Sequence, residues 1–397
     1  MRPNQRVSAI AFSTTIALDS RAKALIAEGR DVINMSVGEP DFAAPQVAEA
    51  AAAAMVRSGK VRYTPAEGTQ SLRKTVALHL SQTRGVEFSA PEITICHSAK
   101  HALSGAALAL IEPGDEVLLL LPAWVSYTEI VRYAGAVPVS VPARSDCGPD
   151  IAAIGRAITK KTRGILVNSP CNPSGYVMSE REVRDIAALA EKHDLWILSD
   201  EIYRRLVYEG EPNFSPASIG ASVRARTVIV DGASKAFAMT GYRIGYIAAP
   251  TEIASAVARL HSQLTGCPNA VSQAAFEAAL RVEPPEVASM CAEFDRRRKI
   301  IIDGLRELGL QTTWPRGAFY AFPDVASYLD ERGSDGFCED LLEEQNVAVV
   351  PGSAFGVDDH VRFSYATSVE NIRKALERTG KFLAKRTAKA PSRMTRG

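Results

Sequence analysis

The sequence predicts an α/β protein: a mostly parallel, doubly wound sheet with helices on both faces, joined to a smaller α+β domain. Three observations carry this reading. From about residue 90 to 250, short apolar runs alternate with helical patterns, the rhythm of a buried parallel sheet. Polar residues with chemical potential collect at the ends of those runs, where open α/β sheets bind ligands. Beyond residue 280 the alternation breaks at Val282-Glu-Pro-Pro285 and gives way to a long helical pattern and strand-rich segments.

In order, Glu92–Cys96 reads as the first strand and the alanine- and leucine-rich Ala99–Ile111 as the helix after it. Pro113-Gly-Asp115 turns the chain into a strand at Glu116–Leu121. A helix near Tyr127–Tyr133, a strand at Ala136–Val141 and a helix across Ile151–Ile158 follow. Gly164–Val167, a helix over Ser179–His193, and Leu195–Ser199 continue the series, which Thr227–Val230 and Tyr242–Ala248 complete. A helix over Val287–Leu308 opens the smaller domain, with strand-rich segments around Phe319–Phe322 and Val347–Val350. The chain then divides into an N-terminal arm with part of the small domain (1–46), a large domain (47–280), the small domain (281–384) and a basic tail (385–397) expected to be disordered. It carries no internal repeat and no low-complexity region.

With 397 residues, 46% of them apolar and 23% charged, the chain has the composition of an ordinary globular protein and the length for one large core plus a smaller domain. A formal net charge of +1 gives no electrostatic case for nucleic acid or an acidic surface. The six cysteines are scattered without a C-x-x-C pair, so neither a zinc site nor a disulfide framework is expected, and a reducing cytoplasm fits. No apolar run is long enough to span a bilayer. Ser13, Thr14 and Thr15 interrupt the basic N-terminal stretch before it can form the core of a signal peptide.

The chemistry starts from Gly232-Ala-Ser-Lys-Ala-Phe-Ala-Met-Thr-Gly-Tyr-Arg-Ile-Gly245. It holds Lys235 among small residues, with Arg243 a short way downstream. A lysine crowded by backbone and by a cation loses its proton and becomes nucleophilic, which suits a Schiff base to a phosphorylated aldehyde, pyridoxal 5'-phosphate (PLP). Such a cofactor also needs a phosphate cradle, a group that keeps its ring nitrogen protonated, and a ring clamp. Asp200 closes the apolar run Leu195–Ser199 and is the candidate for the nitrogen. A carboxylate about 4 Å from the ring cation favours the protonated form by roughly 4 kcal/mol at an effective dielectric of about 20, or about 3 pKa units. Alone, Asp200 would read as a helix N-cap. Tyr203, three residues on, and Asn172, in Asn168-Ser-Pro-Cys-Asn-Pro-Ser-Gly175, can both serve the ring hydroxyl, although Asn-Pro-x-Gly alone is only a turn signal. Ser98, Ala99 and Lys100, between a strand and a helix, offer free N–H groups to a phosphate, and Arg243 adds a planar fork.

The lysine segment also resembles, without a mismatch, the attachment motif of class I aminotransferases: small-x-small-Lys, then Gly-x-Arg-aliphatic-small. Asn168–Gly175 resembles their N-x-P-x-N-P-x-G motif. The matches run from about Ser13 to Tyr365, and the chain is most similar to the bacterial branch of aspartate aminotransferases. The resemblance implies PLP fold type I. It also implies ping-pong transamination of an L-amino acid with a 2-oxo acid, with Lys235 as the proton carrier. It marks Trp124, otherwise readable as a core tryptophan, as the aromatic that stacks on the ring. Arg362, in His360-Val-Arg-Phe-Ser-Tyr-Ala366, resembles the arginine that binds the α-carboxylate, with the backbone of Gly38 beside it. Tyr63 resembles the tyrosine that reaches the partner subunit's phosphate, so the implied unit is a homodimer. Family members often carry a serine where Gly232 stands, and Ser234 is the nearest hydroxyl that could compensate. In the aspartate branch, Thr15 and Lys100 occupy the places that receive a distal carboxylate, and Lys100 can serve substrate, phosphate or both. Phe12 and Asn269 are residues that could reshape the pocket.

Two other enzyme readings share the lysine motif: an aminotransferase for aromatic or other neutral amino acids, and a fold type I PLP lyase. A transcription regulator with an aminotransferase-like effector domain would need a DNA-binding module, and only about a dozen residues precede Ser13. No metal is expected.

Overall fold

Apolar, largely β-branched runs that are buried on both faces form the central sheet. In the computed structural model, which describes residues 1–386, seven strands make it up. They are β1 (Ile93–Cys96), β2 (Glu116–Leu120), β3 (Val137–Val141), β4 (Thr162–Asn168), β5 (Trp196–Asp200), β6 (Thr227–Gly232) and β7 (Gly245–Ala248). Their spatial order is β1-β7-β6-β5-β4-β2-β3. Only β7 runs against its neighbours; the other pairings are parallel, as the continuous apolar runs require. β1, β6 and β7 are buried along their whole length.

The connecting helices carry clear start signals. Ser179 and Glu182 form a reciprocal capping box at the helix Glu180–Lys192, and Ser98 accepts the His101 N–H at the start of Ala99–Leu110. The second helix buries Ala102, Gly105, Ala106 and Ala107, small residues that allow close approach, together with Leu103.

Past residue 284 the long helix Pro285–Glu307 leads to an antiparallel sheet of β8 (Tyr320–Ala321), β9 (Val350–Pro351) and β10 (Val361–Ser364), in the order β9-β10-β8. The N-terminal segment joins this part: Ile33–Asn34 runs parallel to Val347–Ala348. The helices Gly333–Gln345 and Val369–Ala384 cover it.

Three strand expectations are shortened. Of Tyr242–Ala248, only Gly245–Ala248 is strand. Thr240–Tyr242 forms a 3-10 turn and Arg243 takes the left-handed conformation, so the chain reverses before it can pair. Phe319–Phe322 contributes only Tyr320–Ala321, and Val347–Val350 splits at Val349 between two sheets. Of the segment expected to be disordered, Lys385 caps the last helix and Arg386 bridges Asp340 at 2.5 Å. Residues 387–397 lie outside the described residues. Among the described residues no helix is long and apolar enough to cross a membrane.

A buried ion network underlies the strand ends. Arg84, from the helix Gln70–Arg84, donates through Nε to Glu201 at 2.6 Å and through Nη2 to Asp231. The hydroxyls of Ser199 and Ser215 donate to Glu201, and the Gly232 N–H donates to Asp231. Glu201 follows β5 directly and Asp231 lies near the end of β6, so this one guanidinium ties together the two strands that carry Asp200 and lead into Lys235. Arg84→Met leaves the buried Asp231 without its cation and Glu201 with only the more distant Arg204, at 3.9 Å, and should cost about 3–5 kcal/mol, measured by urea unfolding. A loss under about 1 kcal/mol would show that the network contributes little.

Candidate active site

The carboxyl ends of β4, β5 and β6 bring the predicted residues together. The β4–β5 register sets Asn168 opposite Asp200, and the Asn168 side chain donates to the Asp200 carbonyl at 3.0 Å. Above this edge lies a cleft of about 330 Å³. Its walls include Thr15, Gly38, Ser98, Ala99, Lys100, Trp124, Asn172, Asp200, Tyr203, Ser234, Lys235, Arg243 and Arg362. Of the predicted site residues, Tyr63 alone does not line it; its side chain is 98% exposed. Phe12 is also exposed, and Asn269 caps the helix Ala270–Val282, so neither shapes the cleft of its own chain.

Asp200 is 3% exposed. It is not a helix N-cap. Its Oδ1 accepts the Ile202 N–H at 3.2 Å and its Oδ2 accepts the Tyr127 hydroxyl at 2.7 Å. Burial pushes its pKa up to about 6; the Tyr127 and Ile202 donors oppose the rise, and the neighbouring Asp231 and Glu201 charges add to it. Tyr203 shares a hydrogen bond of 2.8 Å with Tyr320.

Lys235 sits in a single helical turn after β6, and its Nζ donates across the cleft to the Gly38 carbonyl at 2.5 Å. Desolvation lowers its pKa to about 8; Arg243 and Arg362 lower it further, while Glu39 and Asp200 act the other way. The small residues of the motif have a packing cause. In the β6–β7 register Gly232 faces Gly245, and a Cβ on Gly232 would stand 2.8 Å from the Gly245 Cα. A Cβ on Gly245 would stand 2.6 Å from the Ala99 nitrogen. The missing serine at Gly232 therefore follows from a backbone approach that leaves no room for any side chain.

At one end of the cleft Ser98 has φ 137°, a strained conformation for a residue with a side chain. It aims the start of the helix Ala99–Leu110 at the cleft, where the Ala99 and Lys100 N–H groups precede the first intrahelical bond, Ala102 to Ser98. Lys100 and Arg243 add charge there. Burial and the Arg243 charge lower the Lys100 pKa, and the ammonium lies 4.9 Å from the Trp124 ring centre. Trp124 stands edge-on to Tyr127. This end fits a phosphate, and the buried carboxylate, the aromatic face and the lysine fit the rest of PLP.

At the other end Arg362, on β10, is 2% exposed. Its Nη1 donates to Asn172 Oδ1 at 2.9 Å and its Nη2 to the Ser36 carbonyl at 2.7 Å, while its Nε is buried without a partner. No carboxylate among the described residues pairs with it. Because Asn172 accepts through its oxygen, its amide N–H groups are left to donate into the cleft.

The sequence reading missed Tyr127, Tyr320, Ser36 and Glu39. Tyr127 had a local signal, three residues after Trp124. Ser36 and Glu39 flank Gly38, which the resemblance had set beside the α-carboxylate; Tyr320 comes from a distant segment and had no local signal.

This combination of sheet, lysine and cations defines a class that comparison makes specific. The family model described as "Aminotransferase class I and II" matches residues 30–378, and the chain belongs to that family. It is 38% identical over 389 residues to an aspartate aminotransferase of Rhizobium meliloti, covering 95% of each chain. It is 40% identical to an aspartate/prephenate aminotransferase of Thermus thermophilus, covering 96% of this chain and 99% of that one. The solved Thermus thermophilus aspartate aminotransferase with maleate superposes at a TM-score of 0.92 with 40% identity, over 96% of this chain and all of that one. The Rhizobium meliloti enzyme superposes at 0.93 with 36% identity, over 98% of this chain.

The depressed Lys235 pKa has a consequence for stability. Between about 8 and the ordinary lysine value of 10.5 the unfolded chain keeps a proton that the native cofactor-free chain has shed. Stability from this group therefore rises with pH in that window. Thermal unfolding of the cofactor-free protein should show this gain relative to Lys235→Met. Parallel pH profiles for the two proteins would contradict it.

Proposed function

We propose that this family member is a PLP-dependent aminotransferase that moves the amino group of an L-amino acid to a 2-oxo acid by a ping-pong cycle. Aspartate and glutamate are the preferred donors, and oxaloacetate and 2-oxoglutarate the acceptors. The observation that carries the reading is Lys235: an amine of lowered pKa between two cationic poles, Arg362 and Lys100 with Arg243. None of these three cations has a carboxylate partner among the described residues.

Ser98, Ala99, Lys100, Ser234 and Arg243 would hold the phosphate, Trp124 the ring face, Asn172 and Tyr203 the ring oxygen, and Asp200 the ring nitrogen. When bound, the cofactor supplies an aldehyde for the amino group and a ring that accepts the electron pair of the Cα–H bond. Arg362 orients the α-carboxylate, and with it the Cα–H bond, toward Lys235. An amine with a pKa of about 8 keeps a far larger neutral fraction near physiological pH than an ordinary lysine, so Lys235 can take a proton from Cα and return it to a neighbouring carbon.

Thr15 and Lys100 in the same wall support a dicarboxylate substrate, as do relatives named for aspartate and a superposable one solved with maleate. The Thermus relatives named also for prephenate favour a second acceptor of larger size. The working unit is a cytoplasmic homodimer in which the exposed Tyr63 reaches the phosphate held by the other chain.

Given aspartate without an acceptor, the loaded enzyme should release one 2-oxo acid per site and stop. Steady ammonia release would instead mark a lyase. Lys100→Ala, assayed at saturating PLP, should lower kcat/KM for aspartate about 10- to 100-fold, the value of a charged hydrogen bond, and change that for alanine less than about threefold. Equal losses on both substrates would assign Lys100 to the phosphate alone.

A further inference from the structure

Behind the phosphate-facing end of the cleft lies a cluster that transamination does not use. Cys96 ends β1, His97 and His101 flank the Ser98–Lys100 turn, and His261 comes from the last turn of the helix Thr251–Leu264. The ligand atoms of Cys96, His101 and His261 all lie within 4.8 Å of one another. The His101 and His261 rings stack with centroids 4.4 Å apart, and His97 stands edge-on to His101 at 5.2 Å. None of the four lines the cleft.

Ordinary packing does not account for these rings. His261 is 1% exposed, and neither of its nitrogens has a hydrogen-bond partner. A neutral imidazole carries one donor and one acceptor, and buried polar atoms are rarely left unpaired. The Ala66 backbone lies close enough to favour a protonated ring but falls short of hydrogen-bond geometry. The His97 Nε2 is likewise buried without a partner, while its ring meets the Gly266 backbone, the kind of contact that fixes the tautomer of a ligand histidine.

We propose that Cys96, His101 and His261, with His97 closing the fourth position, bind a divalent ion of the zinc class. One thiolate and three imidazoles are a nitrogen–sulfur set suited to a tetrahedral, borderline-soft ion. Ligand atoms in such a site stand about 3.3–3.7 Å apart, so Cys96, His101 and His261 must close by about 1 Å and turn their stacked rings toward a common centre; His97, whose ring centre is 6.5 Å from that of His261, must turn further to join them. The Cys96 thiol donates to the Thr94 carbonyl at 3.5 Å, and the His101 Nδ1 accepts the His97 backbone N–H at 3.4 Å, which leaves the His101 Nε2 to ligate. On binding, the S–H proton passes to solvent, a metal–thiolate bond forms, and no electron is transferred. The ion joins a strand end, the anion-binding turn and a second helix, and so braces Ser98 from behind. The missing C-x-x-C pair does not bear on it, because the ligands come from three elements.

The holoenzyme, dialysed against a chelator and then titrated with Co²⁺ or Zn²⁺, tests this. The expected result is one ion retained per chain, visible d–d bands of tetrahedral cobalt, and a Tm that rises and saturates with the ion. His261→Gln and Cys96→Ser should each weaken binding at least about tenfold, whereas Cys291→Ser, on the helix Pro285–Glu307, should not. Should Cys96→Ser fail to fold, His261→Gln and the wild-type cobalt spectrum carry the test. No retained ion, an octahedral cobalt spectrum, or undiminished binding in His261→Gln would overturn the proposal.

Discussion

The register that sets Asn168 beside Asp200 places a carboxylate at the end of an apolar strand, out of reach of water, and the rest of the site answers to that placement. A charge in such surroundings is either neutralised or paired. Here Tyr127 and the Ile202 N–H partly satisfy Asp200, and its pKa still rises to about 6. The same low dielectric depresses Lys235 to about 8. Acid and amine are two readings of one field, which shifts each group toward its neutral form until a ligand of complementary charge arrives.

The sheet makes this field affordable by putting compensation beneath the site. Arg84 faces Glu201 and Asp231, neighbours in sequence of Asp200 and of Gly232, so the strand ends cannot part without exposing two carboxylates. The antiparallel β7 then brings Gly245 between Gly232 and Cys96, and that row of small residues lets the lysine turn and the Ser98 turn touch. Arg362 reaches the cleft from another sheet, which makes the site a junction between the large sheet and the strands that follow residue 284.

Much of this was legible in the sequence because its signals are local. Alternating apolar runs gave the order of the strands, and polar residues just past their ends, Ser98, Asn172, Asp200 and Lys235, marked the binding edge. What was not legible depends on pairing. No local pattern says that β7 turns antiparallel, and Arg243 in a left-handed turn reads as part of a strand. Tyr320 reaches Tyr203 from 117 residues away, and composition and spacing carry no trace of it. Gly232 read as a gap in a motif until the β6–β7 register showed that no side chain fits there.

If Asp200 sets the field, it should hold the ring nitrogen of bound PLP protonated. Nitrogen NMR of the enzyme reconstituted with ring-labelled PLP measures this directly, in wild type and in Asp200→Asn. The predicted result is a protonated nitrogen at neutral pH that loses its proton in the variant. An unprotonated nitrogen in the wild type, or one indifferent to the substitution, would contradict it.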